Sequence, residues 1–192
     1  MRVHGCLKIA RRHMAEARDY KKYEKELRED FGKICGYCGK SERVTKKGFE
    51  IDHFVPQDID PTRRNDYTNL VYSCFTCNRK KSNKWPTKDP NKSHDGREGL
   101  VDPASEEYDS HLKRDINGAI VPLSDLGKYM SNKVFLFHKR PTSTVWKAME
   151  IYRLKDQLAE KADQLSIEEY REYITIDTEL TELLDYLFKS RE

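Results

Sequence analysis

Two cysteine pairs, Cys35-Gly36-Tyr37-Cys38 and Cys74-Phe75-Thr76-Cys77, constrain this chain more than any other feature. Four thiolates at two-residue spacing suit a tetrahedral structural zinc, and a site closed by four protein ligands leaves no position for a substrate water. Any chemistry then belongs to the residues the pairs frame. These are Glu50-Ile51-Asp52-His53-Phe54-Val55-Pro56 between the pairs and Asn78-Arg79-Lys80-Lys81 directly after the second.

The first residues, Met1 to Cys6, lead into a charged helical pattern without the apolar stretch and cleavage site of a signal peptide. No apolar run is long enough for a membrane span. An intracellular, cytoplasmic protein is expected, and in a reducing compartment closely spaced cysteines favour metal ligation over disulfides. Cys6 has no nearby partner and reads as a partly buried thiol. With 36% apolar against 36% charged residues, small cores and exposed helices are expected.

Charge is unevenly distributed. Residues 1–90 carry 21 Lys and Arg against 13 Asp and Glu, whereas residues 91–192 carry 15 against 20. The basic half holds the cysteine pairs, as a polyanion-binding region would, although charge alone equally describes a solvated surface.

The pattern predicts an α+β chain in four segments. Residues 1–30 form an N-terminal amphipathic helix, from apolar positions three or four apart between Leu7 and Phe31. Residues 31–86 form the zinc-stapled core, with a strand over Phe49–Phe54, a polar loop over 57–66, and a helix from the second cysteine pair to about Trp85, where Pro86 stops it. Residues 87–122 are a linker and an accessory hairpin turning in two residues at Asn117-Gly118. Residues 123–192 are helical: a short helix capped by Ser124 or Asp125, then long helices over 143–165 and 166–188 whose leucines recur at three and four. From Val145 onward 12 acidic residues oppose 7 basic ones, so this region packs on the chain itself, on a partner or on a second copy rather than on a nucleic-acid backbone.

Within the core, Asp52 and Asn78 offer oxygen donors suited to magnesium or manganese rather than zinc. His53 is the natural proton acceptor near neutral pH. The Asn69 amide can orient it, and Arg79, Lys80 and Lys81 place positive charge beside a scissile phosphate. Taken singly, each has a plainer role: Asp52 a turn or cap, His53 a core histidine, Asn69 a turn residue, Asn78 a helix cap, and the basic run a solvated face. Their joint order inside two cysteine pairs has no such plain explanation. Tyr37, Phe54, Tyr72 and Phe75 read as core around the metal.

That order, Asp-His, then Asn-Leu, then Cys-x-x-Cys-Asn with trailing basic residues, resembles the HNH nucleases of the ββα-metal superfamily in their four-cysteine form, over roughly residues 31–85. The resemblance implies His53 as general base, Asp52 and Asn78 as magnesium ligands, Asn69 as the residue positioning the catalytic loop, and Cys35, Cys38, Cys74 and Cys77 as ligands of a structural zinc. It also implies endonucleolytic cleavage, DNA first, to 5′-phosphate and 3′-hydroxyl ends. The last position of the HNH triad is Asn78 rather than His, which favours magnesium or manganese. Beyond residue 99 the chain is similar in flavour to small bacterial and phage-associated HNH proteins, some of which work beside an ATPase in antiphage defence. The alternative is a zinc-stapled module that binds nucleic acid or protein without cutting.

Overall fold

The computed structural model describes residues 1–161 and 165–189. The cysteine-framed core is built from strand β1 (Phe49–His53), strand β2 (Leu70–Cys74) and helix α2 (Phe75–Lys81). The strands pair antiparallel, Phe49 opposite Cys74 and His53 opposite Leu70. β2 is buried along its whole length. It lies under helix α1 (Glu24–Asp30), which inserts Leu27 and, at its end, Phe31. The first cysteine pair docks as a knuckle, with Gly36 N–H donating to the Tyr72 carbonyl at 2.8 Å. Gly39 turns this knuckle at φ 67°, and a Cβ there would meet the Val3 carbonyl oxygen at 2.5 Å, so only glycine fits.

The predicted helix over Leu7–Phe31 is corrected at its N-terminal side. Helical structure begins only at a 3-10 turn over Tyr20–Tyr23, and residues 7–18 run irregularly. Their polar groups are claimed from outside the segment. Arg11 donates to the Leu70 carbonyl at 2.8 Å and, with both terminal nitrogens, to Asp102 at 2.9 Å each. The Arg12 backbone N–H goes to Asp30. A thin apolar stripe offers a helix little packing, and most helical stability comes from packing. Cys6, expected to be partly buried, is exposed.

Helix α2 stops at Lys81, four residues before the predicted end, because Ser82 adopts φ 50° and swings Trp85 into the core against Phe54. The stretch after it is not a detached linker in its packing: Leu100, Val101 and Tyr108 enter the same core as β2. His94 and His111 both turn Nε2 to one oxygen of Glu107, at 3.1 Å each, which clamps this stretch to helix α3 (Tyr108–His111).

The accessory hairpin forms from β3 (Leu112–Arg114) and β4 (Ile120–Pro122). Its turn is longer than the predicted two residues. Asp115 and Ala119 close a three-residue loop, with the Asp115 carboxylate accepting from the backbone of Asn117 and Ala119. The aspartate side chain thus replaces the tight Asn-Gly turn with a loop of its own. Gly118 lies at φ 82° against Trp146. Helix α4 (Asp125–Tyr129) is capped by Ser124, whose hydroxyl accepts from Gly127 N–H, and continues into one π turn over Met130–Val134.

Helices α5 (Thr142–Ala159) and α6 (Ile167–Lys189) pair as a hairpin, burying Ala148, Ile151, Leu180 and Leu187 together with Val44 of the core. The predicted apolar position Ala162 lies outside the described residues. Ile167, Tyr170 and Ile174 on α6 remain exposed. No helix among the described residues is long and apolar enough to cross a membrane.

Candidate active site and metal centre

The four cysteines converge. Their sulfurs lie within 4.8 Å of one another and all four residues are buried. A tetrahedron with zinc–sulfur bonds of about 2.3 Å has sulfur–sulfur edges of about 3.8 Å, and Cys38 and Cys74 stand at 3.8 Å. Donor type, number and spacing therefore fit a structural zinc. Helix α2 contributes Cys77 and the strand end before it Cys74, so one ion would pin the knuckle, β2 and α2 together.

One cation near this centre has no local signal in the sequence. Arg140, ahead of α5, aims its guanidinium at Cys77 Sγ (3.2 Å) and Cys38 Sγ (3.8 Å). Four thiolates around a divalent ion carry a net charge of about −2, which a partly buried guanidinium offsets. Arg114, almost fully buried on β3, donates to the carbonyls of Val3, Gly118 and Cys38 at 2.7–2.8 Å and so ties the hairpin to the knuckle.

On β1 the alternation of a strand sends Asp52 and His53 to opposite faces. His53 meets the excursion between the strands. Its Nε2 lies 2.8 Å from the Arg64 carbonyl, an acceptor, so Nε2 carries the proton and Nδ1 the lone pair. Gln57 Nε2 donates to that lone pair at 3.2 Å, and the Tyr20 ring stands edge-on at 4.7 Å. Burial pulls the imidazole below its usual value, with the Arg64 carbonyl and Asp52 opposing, so the neutral form is favoured. Asn69 does not touch the imidazole. Its side chain accepts from Val55 N–H (2.8 Å) and donates to the Val55 carbonyl (3.1 Å) and the Arg63 carbonyl (3.3 Å), holding the backbone on both sides of the excursion that carries Arg64.

Asp52 faces α2. Its carboxylate accepts from the Tyr37 hydroxyl at 2.5 Å and pairs with Lys81 Nζ at 3.1 Å. Asn78 belongs to the same seam but is turned to another oxygen: its Nδ2 donates to Glu50 at 2.5 Å, and no hydrogen bond joins it to Asp52 among the described residues. Glu50 and Asp52 share a face of β1, two positions apart, a period-2 signal that sequence reasoning passed over. Three oxygen-bearing side chains, Glu50, Asp52 and Asn78, thus line the seam between β1 and α2, a donor set that suits a hard divalent cation.

The basic run divides. Arg79 and Lys80 are exposed, with Arg79 beside Glu50 and over the half-buried Phe75 ring. Lys81, expected on a nucleic-acid surface, is instead fully buried and donates to the His53 carbonyl (2.7 Å) as well as to Asp52. The α2 periodicity turns it inward, where Asp52 would otherwise be an unpaired buried charge. Burial pushes Asp52 up and Lys81 down, and their mutual attraction opposes both shifts. Lys81→Met strands the Asp52 charge and is expected to destabilise the fold by about 3–5 kcal/mol in denaturant melts at neutral pH. The loss should shrink on acidification, because a protonated Asp52 no longer needs a cation. An unchanged melt would refute the pairing.

Residues 35–84, the cysteine-framed ββα core, match the family model described as HNH endonuclease. The chain is also similar to the Septu protein PtuB of Bacillus thuringiensis, 29% identical over 79 residues that cover 41% of this chain and 27% of that protein. The match thus spans about a quarter of the relative's length. No solved structure matches significantly.

Proposed function

We propose that the chain is a metal-dependent endonuclease that hydrolyses phosphodiester bonds, in DNA first, with His53 as general base. The observation that carries this is the His53 tautomer: Nε2 is committed to the Arg64 carbonyl, so Nδ1 is the lone pair, in an imidazole that burial keeps neutral. Gln57 is the group that an attacking water would replace at Nδ1. Asn69 acts at one remove, by fixing the Val55 and Arg63 backbone. Asp52 and Asn78, with Glu50 beside them, would hold magnesium or manganese, which when bound stabilises charge on the phosphate and the leaving oxygen. Arg79 and Lys80 would contact the strand, and zinc on the four cysteines would hold the frame. The cleavage products would carry 5′-phosphate and 3′-hydroxyl ends. An exposed α6 face would serve a protein partner, such as an ATPase, or a second copy, in a setting such as antiphage defence.

Supercoiled plasmid, single-stranded DNA and RNA incubated with magnesium test the activity, with cutting of the plasmid expected. The pH profile tests the base. A depressed histidine pKa leaves the neutral base available through neutral pH, so kcat/KM should be level from about pH 7 upward and fall as pH drops through a value below about 6.5. A fall centred well above 7 would refute His53 as the base. One observation favours the rival, a zinc-stapled module that binds without cutting: Asp52 is already engaged by Lys81 and Tyr37, which a metal ion would have to share or displace. Zinc-loaded protein that binds DNA and never cuts it under any magnesium or manganese concentration would establish that rival.

A further inference from the structure

A cavity lies on the flank of α2 turned away from Asp52. It has a volume of about 210 Å³ and opens between the zinc knuckle, α2 and the start of α5, with Leu187 of α6 at one side. Asn78 and Lys81 face β1, whereas Lys80, two positions past Asn78, lines this cavity, so α2 stands between it and the proposed catalytic seam. Lys40, Lys80, Lys139 and Arg140 all line it, and no carboxylate does among the described residues. Leu136 and Val145 form an apolar wall. Leu136 is itself unusual: it holds a left-handed conformation at φ 53°, a region that bulky side chains avoid and that clusters at ligand sites.

We propose that this cavity binds a phosphomonoester carried on a sugar- or nucleoside-sized body. A phosphomonoester bears about −1.5 to −2 charges at neutral pH, which matches several converging cations better than a single carboxylate would. The volume, about seven waters' worth, takes a phosphate and a sugar while leaving a base at the open mouth against the apolar wall. Arg140 offsets the charge of the Cys77 and Cys38 thiolates it faces, so the charge offered to the phosphate comes from Lys40, Lys80 and Lys139 on the lining. Two sources share this chemistry, a free mononucleotide and the terminal phosphate of a nucleic-acid strand.

The test uses full-length, zinc-loaded protein without magnesium, so that nothing is cut and the nuclease reading can fail without affecting the result. Calorimetric titration with dAMP, deoxyadenosine and inorganic phosphate forms one arm. A 5′-phosphorylated and a 5′-hydroxyl oligonucleotide of the same sequence form the other. Either dAMP binds at least tenfold more tightly than deoxyadenosine and phosphate, or the phosphorylated oligonucleotide binds at least tenfold more tightly than its hydroxyl counterpart, and the arm that responds names the source. Val145→Trp, which fills the cavity, and Lys139→Glu, which reverses a rim charge, should each weaken that binding at least tenfold with zinc content unchanged. If Val145→Trp fails to fold, Lys139→Glu decides. No phosphate-dependent binding in either arm, or binding indifferent to the folded variants, overturns the proposal.

Discussion

His53→Ala is expected to lower magnesium-dependent plasmid cutting by about 10²–10⁴-fold, the span that a positioned general base contributes. Zinc content and secondary structure should stay as in the parent. The imidazole is held by one backbone carbonyl, one glutamine and one aromatic edge, and none of these contacts joins the metal centre to the core. Its loss therefore removes the lone pair at Nδ1 while the Asn69 clamp on Val55 and the Lys81–Asp52 pair persist. DNA affinity should also persist, since Arg79 and Lys80 are untouched. Undiminished cutting by the variant sinks the mechanism. Loss of cutting accompanied by loss of zinc would instead make His53 a structural residue.

Cys77→Ser should act in the opposite sense, on the fold before the chemistry. Structural zinc contributes about 10–16 kcal/mol in small zinc modules, comparable to or larger than the whole stability of an ordinary domain, about 5–15 kcal/mol. Cys77 would be the zinc ligand that fastens α2, and Arg140 leans on the same sulfur. Removing it should release zinc, collapse the cooperative melt of the core, and loosen the start of α5. Zinc analysis, circular dichroism and proteolysis near Arg140 report these three events. Chelation of zinc from the parent should reproduce them. A variant that keeps its melting temperature and cooperativity would show that packing around β2 suffices without the ion.

The two substitutions should separate frame from chemistry because Cys74 stands at the Phe49 end of the β1–β2 ladder and His53 at its Leu70 end. That division was legible in the residues. Two-residue cysteine spacing is a local geometric demand, and strand alternation places Asp52 and His53 apart whatever surrounds them. The Ser124 cap, the β1 strand and the α5–α6 hairpin were legible for the same reason, since caps and periodicities act within a few residues. The helix expected over Leu7–Phe31 forms only from Tyr20 onward, because its apolar pattern is weak and Arg11 finds better partners at Leu70 and Asp102.

The cysteine pairs, the Asp-His dipeptide and Asn78 were determined by the sequence alone, down to the kind of metal each donor set suits. Only the tertiary structure decided that Lys81 is the internal counter-ion of Asp52, that Glu50 takes the Asn78 amide, and that Arg140 reaches across 63 and 102 residues to two sulfurs. The physical reason is that a side chain's spacing within its own element is written in the chain. Whether a lysine faces water or an aspartate, and which distant cation meets a cluster of sulfurs, depends on how the elements pack.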